Sequence, residues 1–168
     1  MIDRTKLPFD DLTEHEKLIV VRSELSGKRY VPKTDEEGFA LVRDLLGEKL
    51  FRGFTAARLE VAARYRCRPR WGVCSGWKLF YRFECGGDYL CGICIDERRY
   101  ALRIRLDRRA CAAFERLRDT FSRDTVQWAY DFAPVHGGGR YILLDPEHCG
   151  LEAVFRVLAL YRIPDRPI

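Results

Sequence analysis

Three extended segments joined by two tight turns, all within residues 77–106, constrain this chain more than any other feature. Trp77, Leu79, Tyr81 and Phe83 alternate with Lys78, Phe80 and Arg82, the two-residue period of a strand with one buried face. Gly86-Gly87-Asp88 closes that run as a hairpin turn. Residues 89–96, YLCGICID, return as an apolar run. Asp96 to Arg99 makes a second turn, after which Leu102, Ile104 and Leu106 face one way and Ala101, Arg103 and Arg105 the other. Strands joined this tightly are antiparallel neighbours, so the centre of the chain is a β-meander.

A sheet with one apolar face needs a layer to cover it, and helical periodicity on both sides of the meander supplies candidates. Thr13 with Glu16 has the spacing of a capping box, followed by Leu18, Ile19, Val21 and Leu25 at near-helical spacing. Thr34 with Glu37 repeats the pattern and opens a helix through Phe39, Val42, Leu45 and Leu46, which Gly47 ends. From Glu48 the period resumes through Phe54, Ala57 and Val61 to about Tyr65, and Pro69 forbids continuation of the basic exit loop RYRCRPR. Beyond the meander, Asp107 caps a helix through Ala110, Ala113, Phe114 and Leu117 that ends near Phe121. Residues 125–132, TVQWAYDF, and 140–144, RYILL, read as short strands or extended segments around the VHGGG turn. Asp145-Pro146 then starts a last helix with the stripe Leu151, Val154, Phe155, Leu158 and Ala159. The expectation is an α+β protein: a helical N-terminal extension over residues 1–33, then one domain over 34–168. That domain has an antiparallel meander sheet of four to five strands, covered on one face by two helices.

The formal charge of +5 is unevenly distributed, because residues 51–118 carry 16 basic and 7 acidic side chains. Arginine dominates, 24 against 6 lysines, and its planar fork suits phosphate and carboxylate. No apolar run approaches the roughly 18 residues that span a bilayer, and the N-terminus has no apolar leader, so a cytoplasmic protein without membrane contact is expected. Seven cysteines then act as small apolar residues rather than disulfides. The one CxxC, Cys91 with Cys94, lies inside a strand, where residues three apart point to opposite faces, which counts against a metal or redox role for that pair.

The order of landmarks adds a resemblance. DLLGEKL, a helix, Trp71, Gly76-Trp77-Lys78, the meander, a helix after LRIRLD and the closing RYILLDPEHCGLEAVFRVLALYR together resemble an uncharacterised bacterial domain family related to the small α+β domains called YdhG-like. The resemblance covers about residues 34–162 and implies the fold. It implies no reaction or cofactor, so no catalytic residue is carried over. The Arg66–Arg70 loop, the cysteines and residues 1–33 lie outside its pattern.

Three functional readings follow. The first is a non-catalytic binding module for a small or anionic ligand, or a protein partner, in a groove where Trp71, Trp77, Tyr81, Arg103 and Arg105 meet the helix bearing Glu60; Trp128 and Tyr130 are further aromatic candidates. The second is nucleic-acid or phosphate binding by Arg64, Arg66, Arg68, Arg70, Arg98, Arg99, Arg108 and Arg109 as one basic surface. The third is cysteine chemistry. No residue is assigned a catalytic role, since His148 and Cys149 are sequence neighbours without a supporting motif, and no cofactor or metal is expected.

Overall fold

The computed structural model describes residues 7–14, 16–17 and 30–166. The Thr13–Glu16 box is present: Thr13 N–H donates to Glu16 Oε1 at 3.4 Å and Glu16 N–H to Thr13 Oγ1 at 3.2 Å. The helix expected through Leu18 to Leu25 lies outside the described residues.

Helix α1 spans Asp35–Arg64 and breaks at Gly47, whose φ of 79° only glycine adopts cheaply. Thr34 caps it by accepting from Glu37 N–H at 3.2 Å. The Glu37 carboxylate reaches one residue beyond the expected box, to Lys33 N–H, and also accepts from the Tyr30 hydroxyl. The two arms of α1 bury Leu41, Val42, Leu45 and Leu46, then Phe54, Ala57 and Val61, at the spacing of one helical face.

Six strands form one antiparallel sheet in the order β1-β2-β3-β4-β6-β5: Arg68–Gly72, Leu79–Cys85, Asp88–Asp96, Arg99–Leu106, Gly139–Leu144 and Val135–His136 for β1, β2, β3, β4, β6 and β5. Six exceeds the expected four to five, and β1 and β5 are the strands that were not anticipated. The RYRCRPR loop turns into β1 at Arg68, and Pro69 is tolerated because β1 is an edge strand. Val135-His136 pairs with Arg140 and Gly139 as the short edge β5.

Between β4 and β6, Asp107 caps α2 (Arg108–Leu117) by accepting from Ala110 N–H at 2.8 Å. Residues 125–132 correct the extended reading: they are helical, a π-turn at Arg123–Gln127 continuing into α3 (Trp128–Phe132). The expected last helix is divided by Gly150, φ 84°, into α4 (Pro146–Cys149) and α5 (Leu151–Tyr161).

The sheet has two unlike faces. Tyr81, Phe83, Cys91, Ile93, Ile95, Leu102, Ile104, Leu106, Ile142 and Leu144 point to the face covered by α1, α2 and α5, and form the core with them. Three helices thus share the task assigned to two. No described helix covers the opposite face, which carries Phe80, Arg82, Tyr89, Cys94, Arg103, Arg105 and Tyr141. No described helix is long and apolar enough to cross a membrane.

Candidate ligand cleft on the open sheet face

Strand register assembles the open face. Arg82, Gly92, Arg103 and Leu143 lie in one cross-strand row, and Arg105 pairs with Tyr141 in the next. Directly and diagonally opposed side chains on one face are within reach of each other. The Arg103 guanidinium accordingly lies 4.0 Å from the Tyr141 ring centroid, and that of Arg105 5.9 Å from the same ring. Tyr89, on the same face, supports the row, its hydroxyl donating to Arg103 O at 2.8 Å. Burial pushes the Tyr89 hydroxyl well above its ordinary range, so it stays a neutral donor.

The β1–β2 connection folds over this face. Trp77 N–H donates to Cys74 O at 3.2 Å, with Gly76 at φ 84°, the third position of a tight turn that demands positive φ. The turn stands Cys74 and Trp77 beside the arginine row, and the Arg99 guanidinium covers the Trp77 ring at 4.6 Å. The β5–β6 hairpin rises on the other side, with His136 edge-on to Tyr141 at 6.4 Å. Between these walls is a cleft of about 560 Å³ floored by Arg103, Arg105 and Tyr141, within the size range of small-molecule sites. Neither Arg103 nor Arg105 has a carboxylate within ion-pair distance among the described residues. Neighbouring Arg70 and Arg82 share one carboxylate, each 3.1 Å from Glu84.

The sheet therefore divides the six residues expected to share one groove. Trp77, Arg103 and Arg105 meet in the cleft. Trp71 and Tyr81 belong to the helix-covered side, where their rings stand 4.6 Å apart and Trp71 Nε1 donates to Asp35 at 3.0 Å; Tyr81 is 1% exposed. Glu60 is on α1, paired with Arg64 at 3.0 Å. Trp77 departs from the alternation that placed it with Leu79, because β2 begins only at Leu79 and the preceding turn redirects it. Tyr130 is a core residue stacked 3.9 Å from Phe114, and Trp128 is exposed beside Phe132. Tyr141 and His136 were missed by sequence reasoning. Tyr141 could have been found from β6 alternation, since Ile142 and Leu144 face the core and leave Tyr141 on the arginine side.

The basic residues of the second reading fall into separate groups. Arg64 is held by Glu60 and lies over the Phe155 ring at 4.3 Å. Arg66 and Arg68 line a second cleft of about 720 Å³ at the end of α1. Arg70 is paired with Glu84, and Arg99 with Asp96 at 3.4 Å. The Arg98–Arg99 turn and the Arg108–Arg109 helix start flank opposite ends of β4, about 25 Å apart at 3.3 Å per residue. These arginines are thus spread over the end of α1, β1, the β3–β4 turn and the start of α2. At α4, His148 Nδ1 lies 2.7 Å from Asp145 Oδ2 and the Cys149 thiol donates to Gly150 O at 3.5 Å, so each faces its own turn.

Fold and cleft together define an α+β domain with an open six-stranded antiparallel sheet. No family model, curated protein or solved structure matches the chain.

Proposed function

We propose that the open-face cleft binds a small anionic ligand carrying a planar or apolar group. The observation that carries this reading is the pair Arg103 and Arg105, set about one tyrosine ring on a central strand with no carboxylate within ion-pair distance among the described residues. An arginine held over a ring presents its donors pre-oriented, so less side-chain entropy is lost when an anion arrives. Trp77 and Tyr141 offer ring faces for the rest of the ligand. Arg66 and Arg68 in the second cleft are exposed and have no such stacking partner among the described residues, so they would lose more freedom on binding.

Calorimetric titration with pyrophosphate and with adenosine monophosphate, at low and high salt, tests the proposal. Binding of either probe is expected, weakened about tenfold or more in Arg103→Met or Arg105→Met, as fits loss of a charge-assisted hydrogen bond. Glu60→Gln is expected to leave it unchanged. No binding of any anionic probe would overturn the reading. A short single-stranded oligonucleotide that binds far more tightly than the mononucleotide, and depends on Arg66 and Arg68, would favour nucleic-acid recognition instead.

A further inference from the structure

We infer that Cys74 and Cys94 are a peroxide-sensitive thiol pair whose disulfide pins the β1–β2 turn to the sheet and so regulates the cleft. The two residues are 20 apart in sequence, yet their sulfurs lie 3.9 Å apart, the Cys94 thiol donating to Cys74. Cys94 is fully buried on β3, whereas Cys74 is partly exposed at the cleft wall. A disulfide needs about 2.0 Å between sulfurs, so a closure of about 2 Å suffices.

The arrangement also decides which sulfur reacts. Its hydrogen bond to Cys74, and then burial, hold the Cys94 proton on far above the ordinary thiol range. Cys74 is the acceptor of that bond and the sulfur that solvent reaches. The Arg103 charge bears on both sulfurs. The Cys74 thiolate attacks one oxygen of hydrogen peroxide; the O–O bond breaks, leaving a sulfenic acid and a hydroxide that is protonated to water. The Cys94 sulfur then attacks the Cys74 sulfur. The S–S bond forms, the S–O bond breaks, and the departing hydroxide takes the Cys94 proton as a second water. Two thiols have given two electrons to one peroxide.

The CxxC motif does not compete for Cys94. Cys91 points into the core on the opposite face of β3, so no disulfide joins Cys91 to Cys94 without rebuilding the strand. The regulatory consequence rests on the anion-binding reading above, since Cys74 and Trp77 belong to the turn that walls the cleft.

The test begins with the folded full chain, treated with hydrogen peroxide, alkylated, digested without reductant and analysed by mass spectrometry. The expected product is a Cys74–Cys94 linked peptide pair, two hydrogens lighter than its parts and released by dithiothreitol. Cys94→Ser should leave Cys74 as a sulfenic acid trapped by dimedone, and Cys74→Ser should abolish the link. Both thiols recovered unlinked, or Cys74 joined to another cysteine, would overturn the pair. Pyrophosphate titration of reduced and oxidised protein then reads the regulation, with a change in Kd of about fivefold or more expected. Equal affinities in the two forms would refute the regulation and leave the disulfide standing. Absence of binding in both forms would refute the anion-binding reading, and the regulation with it, a result separable from the peptide map.

Discussion

Gly92 shows how one absent side chain shapes the open face. It pairs with Arg82 on one neighbour and Arg103 on the other, and the Phe80 ring lies over it where a Cβ would stand. Phe80 is almost fully buried there, so its ring fills the gap between two cations instead of solvent. Gly92→Ala is expected to destabilise the fold by about 1–3 kcal/mol, the usual cost of overpacking a filled site, as read by urea denaturation. Its failure to do so would mean that the ring moves freely. Arg103 and Arg105 were legible as residues on the face opposite Leu102 and Ile104, because strand alternation alone assigns sides. Which side would be covered by helices was not legible, and that is why Trp71 and Tyr81 were grouped with them.

Alternation misleads in the segment between β4 and β6. Val126, Trp128, Tyr130 and Phe132 alternate with Thr125, Gln127, Ala129 and Asp131 as a strand would, yet the segment is helical. Val126 and Tyr130, four apart, are buried, while Trp128 and Phe132 are 61% and 76% exposed. The reason is tertiary: Tyr130 stacks on Phe114 of α2, and buried Gln127 donates through Nε2 to Arg118 O and Phe121 O, both at 2.9 Å. The bond to Phe121 O supplies a donor to a carbonyl just past the α2 segment, while Arg118 O also accepts from Phe121 N–H at 3.0 Å. Gln127→Leu should therefore cost about 1–3 kcal/mol by removing the side-chain donor to Phe121 O, again by urea denaturation, and a neutral result would refute this capping role. The same junction carries a charge clamp, with Arg118 bonded to both Glu115 and Asp131 at 2.8–3.1 Å. These hydrogen bonds hold both carboxyls below their ordinary values of 4.5 and 3.8. Their contribution is fully present above those values and is lost as pH falls through the depressed ones. Melting temperatures between pH 5 and pH 2 should fall, and Arg118→Met should flatten part of that slope.

Across the whole molecule, the sheet sorts the cysteines as it sorts the aromatics. Burial pushes Cys67 and Cys149 up to about 11, and raises Cys85 and Cys91 as well. Iodoacetamide at neutral pH should modify these four slowly in the native protein and quickly in denaturant, with the native rate at Cys67 rising only as pH approaches 11. Rapid native alkylation of Cys91 would contradict its place in the core. The sequence by itself determined the meander, the caps at Thr34 and Asp107, the break at Gly47 and the side of β4 on which the arginines stand. These depend on contacts within a few residues: turn chemistry, capping hydrogen bonds and the two-residue period. Only the tertiary structure decided that β1 and β5 extend the sheet, that Gln127 and Tyr130 make their segment helical, and that the described helices cover one face alone. The turn before β2 split Trp77 from Tyr81, and the assembled sheet brought Tyr141 to Arg103 and Cys74 to Cys94. Partners 20 or more residues apart leave no local pattern, and the energy that chooses them is the burial of one sheet face against helices that the sequence places far away in the chain.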